Sequence, residues 1–251
     1  MKNKLCLSDK KLMKTLITEL KGKGYKFFSY KKLIYQKPFN ESDFIVINSI
    51  VECVKKLEDD YLKFGLIYTL GVKGFDDAVP FLIDFYKEFL KGYTNSKDER
   101  LLQIICKVLY DIHSDKYIEL YLELLKLKIV SATVTILDLL ENIDDKSIES
   151  YIIPLIEKEN VIPLDWIGWP NETDKYWFSE NALIFIANKK KKEYKDIFEK
   201  FLTPEKLEFI HFTQSKYQKK NYDICYKRYK EIAVKSLNNF ENKKTVRPQY
   251  Y

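Results

Sequence analysis

The sequence predicts an all-α chain built as an α-solenoid of stacked antiparallel helix pairs, one domain over residues 1–238. Three observations carry that expectation. Apolar residues recur three, four and seven positions apart through most of the chain, the spacing that lines one face of a helix. A helical phrase also returns: Asp76-Asp77-Ala78-Val79-Pro80-Phe81-Leu82-Ile83 and, later, Ile148-Glu149-Ser150-Tyr151-Ile152-Ile153-Pro154-Leu155. Pro80 and Pro154 lie 74 positions apart, two periods of 37, and a weaker copy without proline, Asp115-Lys116-Tyr117-Ile118-Glu119-Leu120-Tyr121-Leu122, lies between them. A repeat near that length built from paired helices is the signature of a solenoid. Finally, 7 Gly and 7 Pro among 251 residues leave few of the tight turns that an all-β fold needs.

The elements follow in order. Residues 1–41 are read as an irregular N-terminal cap, because Gly22, Gly24 and Pro38 interrupt a stretch crowded with aromatics. Ile47, Ile50, Val51 and Val54 predict a helix over 43–57, and its partner covers 59–71. Val79, Leu82, Ile83 and Tyr86 place a helix over 76–91; Leu101, Ile105, Val108 and Leu109 place its partner over 97–111. Ile118, Tyr121, Leu122 and Leu125 give 115–127, followed by 129–141. Ile148, Ile152, Leu155 and Ile156 give 145–159. Further helices cover 177–188, 191–202 (Tyr194, Ile197, Phe198, Phe201) and 221–238 (Tyr222, Cys225, Tyr226, Tyr229). The connections are short, as antiparallel neighbours require. The acidic and hydroxyl pairs Ser42-Asp43, Asp76-Asp77, Ser114-Asp115 and Asp144-Asp145 stand at helix starts, where they are read as caps and not as acid/base dyads. Pro80 and Pro154 sit several residues into their helices, where proline kinks the first turns or starts a second short helix. Residues 160–176, with two prolines and two of the three tryptophans, are an insertion between helices, and 239–251 is a polar, basic tail read as disordered.

Composition bounds the function. Hydrophobic residues make up 46% and aromatics 15%, enough for a sizeable core. The basic residues are almost all lysine, with arginine only at 100, 228 and 247, a mix that fits an AT-rich coding bias. Arginine is the better bidentate partner for phosphate and guanine, so its scarcity argues against sequence-specific nucleic-acid recognition. The net charge of +6 is concentrated: residues 189–251 carry 17 Lys/Arg and 8 Asp/Glu, a net of +9. That asymmetry marks either an anionic partner or a solvated, lysine-coated end. Lys189, Lys190, Lys191, Lys192, Lys216, Lys219, Lys220, Lys227 and Arg228 form the candidate basic patch.

Cys6, Cys53, Cys106 and Cys225 are far apart; Cys53, Cys106 and Cys225 fall in apolar helical patterns and are read as buried, reduced thiols of a cytoplasmic protein. No signal peptide and no membrane span are expected. The two histidines, His113 and His211, have no neighbours at metal-ligand spacing, and no nucleotide-binding or nucleophile motif is present, so neither metal nor cofactor nor catalytic residue is expected. His113 is read as a helix-end residue facing the C-terminal dipole.

The stretch Gly65-Leu-Ile-Tyr-Thr-Leu-Gly-Val-Lys-Gly-Phe-Asp-Asp-Ala-Val-Pro-Phe-Leu-Ile-Asp-Phe-Tyr86 resembles a bacterial HEAT-like repeat: an apolar helix ending in Leu-Gly, a short turn, an Asp, then Ala-Val-Pro-x-Leu-Ile. The resemblance is good over 60–90 and fair over 98–159, about half the chain. It implies a right-handed stack of helix pairs that binds protein, or sometimes nucleic acid, along one face. Two functions follow. One is a non-enzymatic protein-binding scaffold, an adaptor or a toxin-neutralising immunity protein, whose partner is another protein. The other is a nucleic-acid-binding protein, in the extreme a DNA glycosylase acting on alkylated bases. For the latter, Asp165, Trp166, Trp169, Tyr176 and Trp177 form an aromatic and acidic group suited to a cationic base. The same group serves the former as an aromatic recognition loop, and simple packing of the loop explains it equally well.

Overall fold

A computed structural model describes residues 6–26, 29–36, 39–91, 96–126, 130–141, 143, 145–158, 174–203 and 216–239. Among them the chain is all-α, with twelve α-helices and no strand. No described helix is long and apolar enough to cross a membrane. The chain divides into two compact units, Met1–Tyr121 and Leu122–Tyr251.

The first unit contains α1 (Leu7–Gly22), α2 (Tyr30–Gln36), α3 (Ile47–Lys56), α4 (Asp60–Thr69), α5 (Val79–Lys91), α6 (Ser96–Ile112) and the start of α7 (Ile118–Lys126). Single 3-10 turns, Phe44–Val46 and Asp76–Ala78, lead into α3 and α5. The second turn explains Pro80: it stands at the second position of α5, where a missing N–H costs no helical hydrogen bond. Residues 7–22 depart from the expected irregular cap. They form a 16-residue helix that buries Met13, Leu16 and Leu20, one face at helical spacing.

Within this unit α1 packs on α3, α2 on α4, α3 on α4, α4 on α6 and α5 on α6. α4 is central to this packing and buries Leu62, Phe64, Leu66, Ile67 and Thr69, with Leu70 buried just beyond it. Gly65 lets α2 approach it: a Cβ there would stand 3.0 Å from the Cβ of Ile34. The turn after α4 uses a second glycine. Gly74, at φ +83°, donates its N–H to the carbonyl of Ile112, 3.2 Å away at the end of α6. His113 follows in the left-handed region (φ 54°), exposed, closing α6 through its N–H to the Leu109 carbonyl at 3.1 Å.

Charged side chains fix the turns of this unit. Asp9, in the first turn of α1, is buried and accepts the N–H groups of Glu58 (3.0 Å) and Asp59 (3.1 Å), which enter α4. Asp59 in turn caps α4 by accepting the N–H of Leu62 at 2.9 Å. Burial by itself raises a carboxyl's pKa. The Glu58 N–H, the Cys6 thiol, the Asp59 N–H and the charge of Lys63 outweigh it and hold Asp9 below the ordinary carboxylate range. Of the acidic pairs read as caps, Asp145 is one, accepting the Ser147 N–H at 2.7 Å at the start of α9. Asp43 does something else: it accepts the Tyr25 hydroxyl (2.5 Å) and the Asn40 N–H (2.7 Å), tying the segment after α1 to the turn before α3. Burial and the Asp43 carboxylate push the Tyr25 hydroxyl up to about 12.

The second unit contains α8 (Val130–Glu141), α9 (Lys146–Lys158), α10 (Asp174–Lys189), α11 (Lys195–Lys200) and α12 (Lys216–Asn239). α10 packs on α8, α9 and α12, and α11 packs on α12. Ala182 to Ala187 are buried without a break, so this part of α10 is enclosed on every side. Pro154 lies inside α9 and is exposed, so the carbonyl it leaves without a helical donor faces the solvent side. α10 begins at Asp174, so Tyr176 stands on a helix and not in the expected loop. Residues 159–173, and with them most of the expected insertion, lie outside the described residues, as does the tail from 240.

Asp9 generates a prediction. Its pKa is lower in the folded chain than in the unfolded one, so its contribution is present above about pH 4 and lost as pH falls through the folded value. Asp9→Asn should lower the unfolding free energy at pH 7 by about 2 kcal/mol, because an amide cannot accept both N–H groups. Denaturant unfolding at several pH values should show that gap closing below about pH 4.

Candidate functional site

The clearest concavity among the described residues is a groove of about 460 Å³ between α1 and α3. Leu12 and Leu16 line it from α1, and Ile45 and Cys53 from the α3 side. Leu16 and Cys53 are buried and form the apolar floor. Ile45 is 64% exposed and Phe44 beside it 52%, because their 3-10 turn holds both on the outside of α3. The rim is polar, with Thr15, Asn48, Glu52 and Lys56.

One end is closed by a three-residue network. Lys23 Nζ donates to Glu19 Oε1 (2.9 Å), the Ile45 carbonyl (3.1 Å) and Ser49 Oγ (2.6 Å). Ser49 Oγ donates to Glu19 Oε1. The Ser49 hydroxyl, then the Lys23 ammonium, hold the Glu19 carboxyl below its ordinary range. The arrangement places a hydroxyl beside an amine, as nucleophile and base would be. Its hydrogen bonding runs the other way: all three ammonium protons are engaged, so no lone pair on Lys23 faces Ser49. Burial pushes the Cys53 thiol up to about 11, which keeps the thiolate form scarce at neutral pH. The groove therefore offers shape, apolar area and hydrogen bonding.

A second apolar feature is the stripe Phe81, Phe85 and Phe89 on α5. Their rings follow one another at 5.8 and 6.4 Å, and Phe64 of α4 meets Phe85 and Phe89 edge-on at 5.8 and 5.1 Å. All three α5 rings are half-buried.

The residues singled out in the sequence divide into three groups. Asp165, Trp166 and Trp169 lie outside the described residues. Tyr176 and Trp177 belong to the first turn of α10, and Lys216, Lys219 and Lys220 to the first turns of α12. Lys189 to Lys192, together with Lys227 and Arg228, have described side chains.

The Lys189–Lys192 run differs from an outward basic patch. Lys189 Nζ donates to the carbonyls of Ile143 (2.5 Å) and Leu140 (3.4 Å), just beyond and within the last turn of α8. Its ammonium also stands 5.1 Å from the Phe185 ring. Lys191 pairs at 2.6 Å with Glu149, a carboxylate buried in α9, and the Tyr194 hydroxyl donates to the same carboxylate. Lys190, at φ 54°, provides the left-handed residue that ends α10 between them. The physical reason is local: α10 and α11 meet in a tight turn against the end of α8 and the start of α9, and the cations satisfy groups that burial has removed from water. Lys192 remains exposed, as do Lys227 and Arg228 on α12.

Sequence reasoning missed Glu19, Lys23 and Ser49 because it assigned no helix to 7–22. It also missed Glu149 and Tyr194, although Glu149 shares the apolar face of Ile148, Ile152 and Ile156, a sign that it needs a partner. No group of His, Cys, Asp and Glu among the described residues could hold a metal ion. Cys53 and Cys106 are buried and free, as expected, and Cys6 is exposed and free.

Comparison with protein-family models, with curated proteins and with solved structures found no match.

The two roles for lysine separate in a stability measurement. Lys189→Met should cost about 1–2 kcal/mol in denaturant unfolding, because it removes the lysine donor from the Ile143 carbonyl just beyond α8. Lys192→Met, one of the same run but exposed, should change stability by no more than about 0.5 kcal/mol.

Proposed function

We propose that this chain is a non-enzymatic protein-binding scaffold of HEAT-like type, a right-handed stack of antiparallel helix pairs acting as an adaptor. The packing order within each unit supports the stack. α4 touches its predecessor in alternate order (α2), its partner (α3) and its successor in alternate order (α6). α10 does the same with α8, α9 and α12. That is the neighbour pattern of one layer in a two-layer array of helix pairs, in which each unit contacts the units before and after it.

The observation that carries the binding role is the α1/α3 groove with Ile45 exposed at its lip. A large apolar side chain held outward beside a concavity with an apolar floor suits a protein partner that inserts apolar side chains of its own. The fixed Glu19–Lys23–Ser49 end keeps the groove's width set before binding, which reduces the ordering cost of association.

The test is capture of partners from the native host lysate by the tagged full chain, with and without nuclease, beside an Ile45→Asp variant. Ile45 is mostly exposed, so the substitution leaves the fold intact. The expected result is one protein recovered near stoichiometry, resistant to nuclease and lost with Ile45→Asp. Capture unchanged by the substitution, or capture only of nuclease-sensitive material, would contradict the reading.

A further inference from the structure

α12 is a 24-residue helix, about 36 Å long. Its inner side is defined by Tyr229, Ile232, Ala233 and Ser236, all buried, which seat it on α10 and α11. Lys227, Lys230, Glu231, Val234 and Lys235 are exposed and fall on the opposite side of the helix. At 3.6 residues per turn, Lys216 and Lys220 occupy positions within about 20° of Lys227, and Lys219 within about 20° of Lys230. Between 216 and 239 the helix carries seven basic residues (Lys216, Lys219, Lys220, Lys227, Arg228, Lys230, Lys235) against two acidic ones (Asp223, Glu231).

We propose that the outward side of α12 binds the phosphate backbone of a nucleic acid without reading its sequence. This is a second binding activity, independent of the groove. The chemistry is specific in kind. The side carries several lysines, each a point charge that meets a phosphate without the fixed fork that base recognition uses. Around the axis Lys230 lies about 60° to one side of Lys227 and Lys235 about 80° to the other, with Glu231 between Lys227 and Lys235, on a helix as long as about ten base pairs of duplex. A polyanion has a broad, net cationic side to lie against. Among the described side chains of α12 the one large apolar group exposed is Val234, at 39%, which gives a lipid bilayer little to take up. The packing of α12 on its neighbours holds these positions before binding.

The experiment uses the full chain and fluorescence anisotropy of a labelled mixed-sequence duplex of about 20 base pairs, titrated at several salt concentrations. Two variants carry the same change of charge: Lys227→Ala/Lys230→Ala/Lys235→Ala on α12, and Lys10→Ala/Lys14→Ala/Lys21→Ala on α1, all exposed lysines. The proposal expects binding that weakens steeply with salt. It expects the α12 variant to lose on the order of a hundredfold in affinity near 0.1 M salt and to have a salt slope smaller by two to three (about 0.9 per phosphate contact). The α1 variant and an α12 variant with the same three lysines changed to arginine should bind nearly as the parent does. Equal losses in the α12 and α1 alanine variants would reduce the effect to net charge and overturn the proposal. So would the absence of salt-dependent binding. A third overturning result is an α12 variant that keeps duplex binding while losing attachment to phosphatidylserine vesicles.

Discussion

A buried helix end carries backbone N–H or C=O groups that water no longer reaches, and a chain of short packed helices has many such ends. At two of these ends the groups are met by charged side chains from elsewhere in the sequence. Asp9 on α1 accepts the N–H groups at the entry to α4, some fifty positions away. Lys189 at the end of α10 donates to carbonyls at the end of α8. Lys191 and Tyr194 meet the buried carboxylate of Glu149. Each joins segments distant in sequence within one unit, so each fixes how the helices there sit against one another. The apolar core supplies most of the driving force, but it is non-directional; these contacts select the register in which the helices stack.

The same constraint sorts the charges of the chain into two kinds. Some are engaged inside the fold: Asp9 and Lys189 hold backbone groups, and Lys191 pairs with the buried Glu149. Others, as in Lys192, Lys227, Lys230 and Lys235, face solvent. Only the second kind is available to a partner. The cluster at one end of the α1/α3 groove belongs with the first kind: Glu19, Lys23 and Ser49 satisfy each other and fix the walls. What the groove presents outward is the exposed Ile45 set among the polar side chains of its rim. The two proposed binding surfaces therefore differ in chemistry, one beside the exposed Ile45 and one on the lysine-bearing side of α12.

Several of the helices from residue 43 onward were legible because they bury a stripe at helical spacing. Val79, Leu82, Ile83 and Tyr86 are all buried on α5, and Tyr194, Ile197, Phe198 and Phe201 on and around α11. α1 carries the same signal in Met13, Leu16 and Leu20, but the lysines around them (Lys10, Lys11, Lys14, Lys21) and the glycines after them obscured it. Without α1 there was no groove to find. The lysine run at 189–192 was legible as charge and not as structure. Its partners Leu140, Ile143 and Glu149 lie more than forty positions away, and periodicity carries no information about contacts at that distance. Local pattern thus reports which face of a helix is buried, whereas the fate of an individual charge depends on which turn is packed beside it.

The most direct test of this account is a double-mutant cycle on the Glu149–Lys191 pair, read by denaturant unfolding of the full chain. Glu149→Leu leaves Lys191 and the Tyr194 hydroxyl without their acceptor, and Lys191→Met leaves a buried carboxylate without its cation. Each single change should cost about 2–4 kcal/mol, and the double variant should be more stable than their sum by at least about 1 kcal/mol. Additive costs, or single substitutions within about 0.5 kcal/mol of the parent, would show that the buried charges do not hold these turns.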